Sequence, residues 1–413
     1  MGKARKDRNG RALYKGENQR KQDGRYLYSY TTPYGKRCVV YANSLEELRE
    51  KEKSLESDLR EGIDTYVAGS STLNFVFDRY MATKAELKST TATNYNYMYD
   101  RYVRKTFGLL IIGDIKYSDV VKFYQSLLYD RKIKVNTLES VHTVLHPTFQ
   151  LAVRDNIIRN NPTDGVMADM KKKHRDKCGG IRHALSLEEQ RAFINYVSNS
   201  EEFYRWAPLF TVMLGTGCRV GEIIGLRWQD IDMENRMIDI NHSVTYYPRH
   251  DNSYKCEYSV STPKTEAGTR TVPMLDEVYE AFLEEEAYQK EHGFNNTVID
   301  GMSGFIFQNR FGNVHNPAGI NRAIKRIVES YNAEEVVKAE RAKRKAVILP
   351  KFSCHILRHT FCTRFCENET NIKIIQSVMG HADIQTTYDI YAEVTDISKK
   401  QSFANLEKNL RVF

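Results

Sequence analysis

Two tyrosines near the C-terminus, Tyr388 and Tyr391, stand three residues apart in the stretch GHADIQTTYDIYAEV. A phenol with a pKa near 10 is a weak nucleophile, so neighbouring cations must activate it and place it in line with its target. Residues at i and i+3 of a helix project from overlapping faces. Local geometry therefore leaves open which tyrosine could react, and composition alone favours packing roles for both.

Cations that could assist such a phenol occur in two earlier stretches. Arg219 lies among glycines in TGCRVGEIIGLRWQDID, where Glu222 opens an apolar-periodic helix. Backbone N–H groups at a helix start and a guanidinium can converge on an anion, although a structural salt bridge is the commoner role for one arginine. Lys264 lies in STPKTEAGTRTVP, near the predicted tip of a hairpin with a Glu-Ala-Gly turn. By itself, a hairpin lysine is usually a solvated charge.

A third stretch, FSCHILRHTFCTRF, places His355, Arg358 and His359 at i, i+3 and i+4, which predicts one shared helix face. A zinc protease would need Glu directly after the first histidine, and Ile356 stands there instead, so a metal site is disfavoured. Arginine offers a bidentate fork and histidine a donor or acceptor near neutral pH, a pair that suits a phosphate better. His381 follows Gly380 shortly before the two tyrosines.

Taken together, Arg, Lys, His-x-x-Arg, Gly-His and Tyr in this order resemble the tyrosine site-specific recombinases. The matching blocks are TGCRVGEIIGLRWQDID, TPKTEAGTRTVP, HILRHTFCTRF and MGHADIQTTYDIYAEV. In that family the nucleophile follows the Gly-His by nine or ten residues and comes after isoleucine. Tyr391, ten residues past His381 and directly after Ile390, fits this pattern, whereas Tyr388 is expected to be a packing neighbour.

The resemblance implies strand transfer through a covalent 3′-phosphotyrosine, without ATP, metal or cofactor. Glu222 is expected to orient Arg219 rather than to take part. Two arginines would hold the phosphate, the lysine would protonate the leaving 5′-oxygen, and the histidines would assist proton transfer and bind the phosphate. The implied catalytic set is Arg219, Lys264, His355, Arg358, His381 and Tyr391.

The elements that must position these residues predict a multidomain protein. A small α+β domain with a three-stranded sheet and one helix is expected over residues 1–70, its hairpin at GRYLYSYTTPYGKRCVVYANS and its third strand near Ala12–Tyr14. An all-α domain follows over 72–170 and a basic linker over 171–182. A mainly helical mixed α/β catalytic domain spans 183–397, and the tail 398–413 is expected to contact another subunit. The resemblance identifies the first two as arm-binding and core-binding domains.

Charge indicates a polyanionic partner. Residues 1–37 hold eleven Lys or Arg against three acidic residues, which accounts for the whole net charge of +8. A basic arm of this kind usually binds nucleic acid, although a solvated tail remains the plain alternative. The candidate DNA-binding residues are Arg5, Arg8, Arg11, Lys21, Arg25, Lys36, Arg37, Lys171, Lys172 and Lys173. The expected partner is double-stranded DNA at arm-type and core-type sites.

Other protein classes are disfavoured by the composition. No run of about 18 apolar residues could span a membrane, and no apolar segment follows the basic N-terminus as in a secretory signal. Seven cysteines without a C-x-x-C pair favour reduced thiols in the cytoplasm, where the protein would act on the bacterial nucleoid.

By resemblance, the protein is expected to act as a homotetramer on DNA, with C-terminal tails exchanged between subunits and an excisionase-type accessory factor. A conjugative-transposon integrase is the first interpretation, and a temperate-phage integrase with the same chemistry is the alternative. A type IB topoisomerase uses a similar set of residues, but the N-terminal domain favours recombination. A non-catalytic DNA-binding regulator would not need all six positions filled by competent residues.

Overall fold

The structure of the protein is a computed structural model. It describes residues 5–31, 35–60, 65–174, 183–248, 256–263 and 268–392. The chain divides into two units, Met1–Gly180 and Ile181–Phe413, each with hydrophobic clusters of its own. The finer division into three domains and a linker stays a prediction.

The first unit begins with a three-stranded antiparallel sheet in the order β1-β2-β3, which confirms the predicted sheet. Its strands are β1 (Glu17–Gln19), β2 (Tyr26–Thr31) and β3 (Arg37–Ala42), followed by helix α1 (Leu45–Arg60). Side chains alternate along β2 because a strand has a period of two, so one face of the sheet packs against α1.

The predicted strand at Ala12–Tyr14 is wrong, since its first residue forms only an isolated bridge. The third strand is Glu17–Gln19. Gly24, with φ of 73°, lies in the turn that reverses the chain and pairs Gln19 with Tyr26. A short glycine turn sets the register of an antiparallel pair, so the strand that precedes this turn is the one that joins β2.

The remainder of the first unit is helical, as predicted. Phe77 and Tyr99 stack with ring centroids 3.6 Å apart within a core that also contains Phe149. Lys171–Lys173, which the sequence assigns to the start of the linker, form the last turn of a helix in which Met170 is buried. The helices are α2 (Thr65–Ser70), α3 (Leu73–Ala82), α4 (Ser89–Tyr102), α5 (Tyr117–Tyr129), α6 (Val135–Arg154) and α7 (Val166–Lys173).

The second unit is mainly helical. A capping box precedes its first helix: Ser186 Oγ accepts from the N–H of Glu189, whose carboxylate accepts from the N–H of Ser186. The helices are α8 (Leu187–Asn199), α9 (Ala207–Thr216), α10 (Val220–Gly225), α11 (Asp276–His292), α12 (Pro317–Arg341), α13 (Cys354–Asn368) and α14 (Ile372–Met379). Residues 384–392 are also helical and are called the tyrosine helix here.

Short strands complete the second unit. β4 (Ile231–Asp232), β5 (Met237–Ile240) and β8 (Arg270–Pro273) form one sheet in the order β4-β5-β8, while β6 (Ser243–Pro248) pairs with β7 (Cys256–Ser261). The predicted hairpin around Lys264 is therefore wrong in its pairing, since β7 and β8 join different ladders. β7 pairs instead with β6, and β8 pairs with β5.

Within the ranges that the structure describes, no helix combines the length and the apolar character that crossing a membrane requires.

Candidate active site

Arg219 lies where α9 ends and α10 begins. Gly217 closes α9 with φ of 62°, and a Cβ there would lie 2.3 Å from a ring carbon of Phe361 on α13, so glycine permits this approach. Arg219 is the N-cap of α10, and its N–H donates to Glu222 Oε2 at 2.8 Å. Its Nη1 donates to Glu222 Oε1 at 2.8 Å, which agrees with the orienting role expected for this glutamate. The Arg219 side chain stays 44% exposed.

Arg358 reaches the same place from α13 but is buried, with 4% of the residue exposed. Its Nη1 donates to the carbonyl of Gly217 at 2.7 Å and its Nη2 to the carbonyl of Met379 at 2.6 Å. Burial, followed by the positive charge of Arg219, lowers the pKa of Arg358 to about 10. The guanidinium therefore still carries its charge at neutral pH.

The C-terminal end of α14 is where these arginines meet. Three successive carbonyls accept from three different arginines: Val378 from Arg270 Nε at 2.7 Å, Met379 from Arg358, and Gly380 from Arg219 Nη2 at 2.9 Å. The last carbonyls of a helix lack partners within the helix and carry partial negative charge. Guanidinium groups satisfy them here and gather three positive charges around one helix end.

His381 follows directly. Gly380 ends α14 with φ of 62°, and the imidazole Nδ1 of His381 lies 2.8 Å from the hydroxyl of Thr387 on the tyrosine helix. The residue is 7% exposed. Burial, followed by the charges of Arg358 and Arg219, lowers the pKa of His381 to about 4, so the ring is neutral near pH 7. His381 thus lies beside the two predicted arginines.

The two histidines that share the predicted helix face with Arg358, His355 and His359, lie in different surroundings from it. His355 lies in the first turn of α13 and is exposed. His359 lines a cavity of about 390 Å³ together with His183 and Arg364. All three residues lie on α13, as predicted. Arg358 points inward, toward the ends of α9 and α14, whereas His355 lies at the surface.

Tyr391 is half-buried on the tyrosine helix, where it packs with Ile390 against a cluster that includes Cys362 of α13 and Met379 of α14. Tyr388 is 52% exposed. The expectation that Tyr388 is the packing neighbour is wrong, since Tyr391 makes the contact with α13 and α14. Tyr391 is therefore held against α13, which carries Arg358, and against α14, which the Gly-His pair follows.

Lys264 falls outside the described residues. The residues on either side of that stretch, Pro263 and Gly268, lie in contact, because a Cβ on Gly268 would approach Pro263 Cβ to 2.5 Å.

Arg270 is the residue of this site that sequence reasoning missed. It lies on β8 only two strand positions from Val272, and both side chains point inward in the alternation buried-exposed-buried-exposed. An arginine at an inward position of a strand with period two was a detectable signal, because a buried guanidinium requires acidic or carbonyl partners.

The candidate DNA-binding residues of the sheet domain are all exposed. Arg11 nevertheless is engaged by the protein: it forms an ion pair with buried Asp7 at 2.8 Å and donates to the hydroxyl of Tyr26 at 2.9 Å. Arg37 lies on β3 on the same face as exposed Tyr41, away from the buried side of the sheet. The seven residues are Arg5, Arg8, Arg11, Lys21, Arg25, Lys36 and Arg37.

On α7, the exposed ammonium groups of Lys171, Lys172 and Lys173 follow one another. Lys171 forms an ion pair with Glu139 of α6.

Comparison with known proteins places these features in a family. Residues 184–397 match the model of the Phage integrase family, 1–59 the DNA binding domain of tn916 integrase, and 72–128 the N-terminal SAM-like domain of phage integrases. The chain is 30% identical to the transposase from transposon Tn916 of Enterococcus faecalis, over 99% of this chain and 98% of that protein. It is 26% identical to the prophage ps2 probable integrase of Lactococcus lactis, over 94% and 98% of the two chains.

Among solved structures, the chain is similar to Tn1549 transposon integrase in complex with transposon right end DNA. The TM-score is 0.69 with 26% identity, over 82% of this chain and 99% of the other.

Proposed function

This chain belongs to the phage integrase family of tyrosine recombinases, and from that premise we propose that it integrates and excises a mobile element of the conjugative-transposon type. As in the family, DNA is cut and rejoined through a covalent bond to tyrosine. The observation that carries the proposal is the convergence of Arg219, Arg358 and His381 at the end of α14, directly before the tyrosine helix. The similarity to the Tn916 transposase over nearly the full length favours a transposon over a phage origin.

In the proposed reaction, the phenol oxygen of Tyr391 attacks a phosphorus of the DNA backbone. The bond from phosphorus to the 5′-oxygen breaks, leaving a 3′-phosphotyrosine and a 5′-hydroxyl. Lys264 gives a proton to the leaving oxygen, and His355, exposed at the start of α13, assists removal of the phenol proton. The 5′-hydroxyl of a second duplex then attacks and regenerates the phenol, so the energy of the phosphodiester is conserved and no ATP is consumed.

Arg219 and Arg358 are proposed to hold the non-bridging oxygens, where negative charge builds up. Preorganised donors of this kind each contribute about 3–4 kcal/mol in other enzymes. Arg358 suits this role because its two carbonyl contacts fix the guanidinium before DNA arrives, and its pKa of about 10 keeps it charged. His381, neutral and held by Thr387, would bind a phosphate oxygen as a hydrogen-bond donor.

DNA recognition is proposed for two regions of the first unit. The solvent face of the N-terminal sheet, with Arg37 and Tyr41, would enter a major groove, which is wide enough for a β-ribbon. The lysines at the end of α7 would contact phosphates of core-type DNA. Arg11 is the weakest candidate, because Asp7 already neutralises it.

Assembly is also part of the proposal. Four protomers would act together on paired duplexes at the bacterial nucleoid, with an excisionase-type factor setting direction. The exchanged tail 398–413 lies outside the described residues, so its docking is proposed from the family resemblance alone.

The test is formation of a covalent adduct on a suicide DNA substrate, a nicked duplex whose short cleaved fragment diffuses away. Wild-type protein should accumulate the adduct, and Tyr391→Phe should not. Tyr388→Phe is the matched control, since Tyr388 is exposed and should be dispensable. An adduct with Tyr391→Phe equal to wild type would move the nucleophile elsewhere. If wild-type protein formed no adduct on any DNA from the ends of its own mobile element, a DNA-binding regulator would be favoured.

A further inference from the structure

Arg270 has each of its three guanidinium nitrogens engaged by the protein. Nε donates to the carbonyl of Val378 at 2.7 Å. Nη1 and Nη2 donate to the two oxygens of Glu222 at 3.3 and 2.8 Å, and Nη2 also lies 3.7 Å from Cys218 Sγ. Its side chain is only 4% exposed. The fork of Arg270 is therefore directed at Glu222 and the end of α14, not at an incoming ligand.

Glu222 is shared evenly between two arginines. Oε1 accepts from Arg219 Nη1 and Arg270 Nη1, while Oε2 accepts from the backbone N–H of Arg219 and Arg270 Nη2. Four bonds are about the number that the lone pairs of a carboxylate accommodate. Burial raises the pKa of Glu222, but the bonds from Arg270 and the nearby charge of Arg219 outweigh it and lower the pKa overall. The buried carboxylate is thus charged and saturated.

Loss of Arg270 would leave two positions of this carboxylate without a donor. The Glu222 side chain is only 8% exposed, so water has little access to replace the missing bonds. Arg219 is the adjacent cation, and its exposed guanidinium has room to turn. The expected response is that Arg219 moves its Nη2 from the carbonyl of Gly380 onto Glu222, which forms a fully bidentate pair and draws the fork away from solvent.

We propose that Arg270 is a positioning residue for DNA cleavage: it occupies half of the Glu222 carboxylate, so that Arg219 stays on Gly380 and presents its fork to the scissile phosphate. The inference rests on the proposed function, because it assigns Arg219 to the phosphate. Arg270 itself touches no DNA in this scheme and acts through Glu222.

A double-mutant cycle on the full-length protein tests this role. The variants are Arg270→Lys, Arg270→Met, Glu222→Gln and the double variant Glu222→Gln/Arg270→Met. Two quantities are compared among the variants: the single-turnover rate of adduct formation on the suicide substrate and the dissociation constant for the same DNA. The melting temperature of each variant shows that the protein is folded under the conditions of the assay. Glutamine keeps the shape of Glu222 without the charge that draws Arg219.

In the wild-type background, Arg270→Lys should lower the adduct rate by about 10-fold and Arg270→Met by about 100-fold, on the scale of losing one preorganised donor, with DNA affinity nearly unchanged. In the Glu222→Gln background, Arg270→Met should change the rate by less than about 3-fold, since coupled residues are not additive. If Arg270→Met does not fold, the double variant Glu222→Gln/Arg270→Lys is added, and the loss caused by Arg270→Lys is compared between the two backgrounds.

Two results would overturn the inference while leaving the proposed function intact. One is Arg270→Lys reacting at the wild-type rate, which would mean that any cation suffices. The other is an equal loss from Arg270→Met in both backgrounds, which would mean that Arg270 does not act through Glu222. Failure of wild-type protein to form the adduct would instead count against the proposed function.

Discussion

Replacing Arg358 by lysine should create an enzyme whose cleavage fails at mildly alkaline pH. Burial and the charge of Arg219 lower the pKa of Arg358 from its ordinary value to about 10. The same surroundings acting on a lysine, whose ordinary pKa is about 10.4, would bring it to about 8. Such a lysine is about 90% protonated at pH 7 and about 10% at pH 9, by the titration of a single group. The arginine remains about 90% charged at pH 9.

Two losses are therefore expected in Arg358→Lys. At pH 7 one ammonium cannot reproduce the fork that bonds Gly217 and Met379 and is proposed to hold the phosphate, which should cost about 10²-fold in rate. Between pH 7 and pH 9 the ratio of variant to wild-type rate should fall by about a further 10-fold as the ammonium loses its proton. Taking the ratio removes any pH dependence that is common to both proteins.

The assay is the single-turnover rate of covalent adduct formation on a suicide substrate, measured from pH 6.5 to pH 9.5 at constant ionic strength. DNA binding measured at each pH serves as the control for loss of folding or affinity. A ratio that stays constant across this range would refute the reasoning, because it would show that position 358 does not sit in an environment that opposes positive charge.

Two further predictions concern pH and DNA recognition. The pKa of His381 is lower in the folded protein than its ordinary 6.5, so its contribution to stability is full above pH 6.5 and is lost as the pH falls toward 4. Between pH 7 and pH 5, the free energy of unfolding, measured by heat or urea, should therefore fall by about 2 kcal/mol less in His381→Gln than in wild type. An equal fall in both proteins would contradict the assigned burial of His381. Arg37→Ala should weaken binding to arm-type DNA and reduce the slope of log affinity against log salt concentration by about one unit. Arg11→Ala should mainly lower the melting temperature, because Arg11 pairs with buried Asp7. Gel-shift titrations at several salt concentrations measure the slope, and equal slopes for Arg37→Ala and wild type would argue against DNA binding by this face of the sheet.

The sequence predicted the main elements well where a local rule was sufficient. The N-terminal hairpin and the helical segments that follow it rest on local periodicity, and both are present. The third strand was misplaced because a strand needs a partner, and the turn at Gly24 decided which segment met β2. The pairing around Lys264 failed for the same reason, since β7 and β8 each pair with a different strand.

By itself, the sequence determined the order and types of the residues that could carry the reaction, because Arg, Lys, His-x-x-Arg, Gly-His and Tyr survive as a pattern whatever the chain does between them. Only the tertiary structure decided that Arg219 and Arg358 end on neighbouring carbonyls of α14, and that Arg270 joins them through Glu222. The physical reason is that a buried charge is tolerable only beside its partners, and those partners come from segments far apart in the chain.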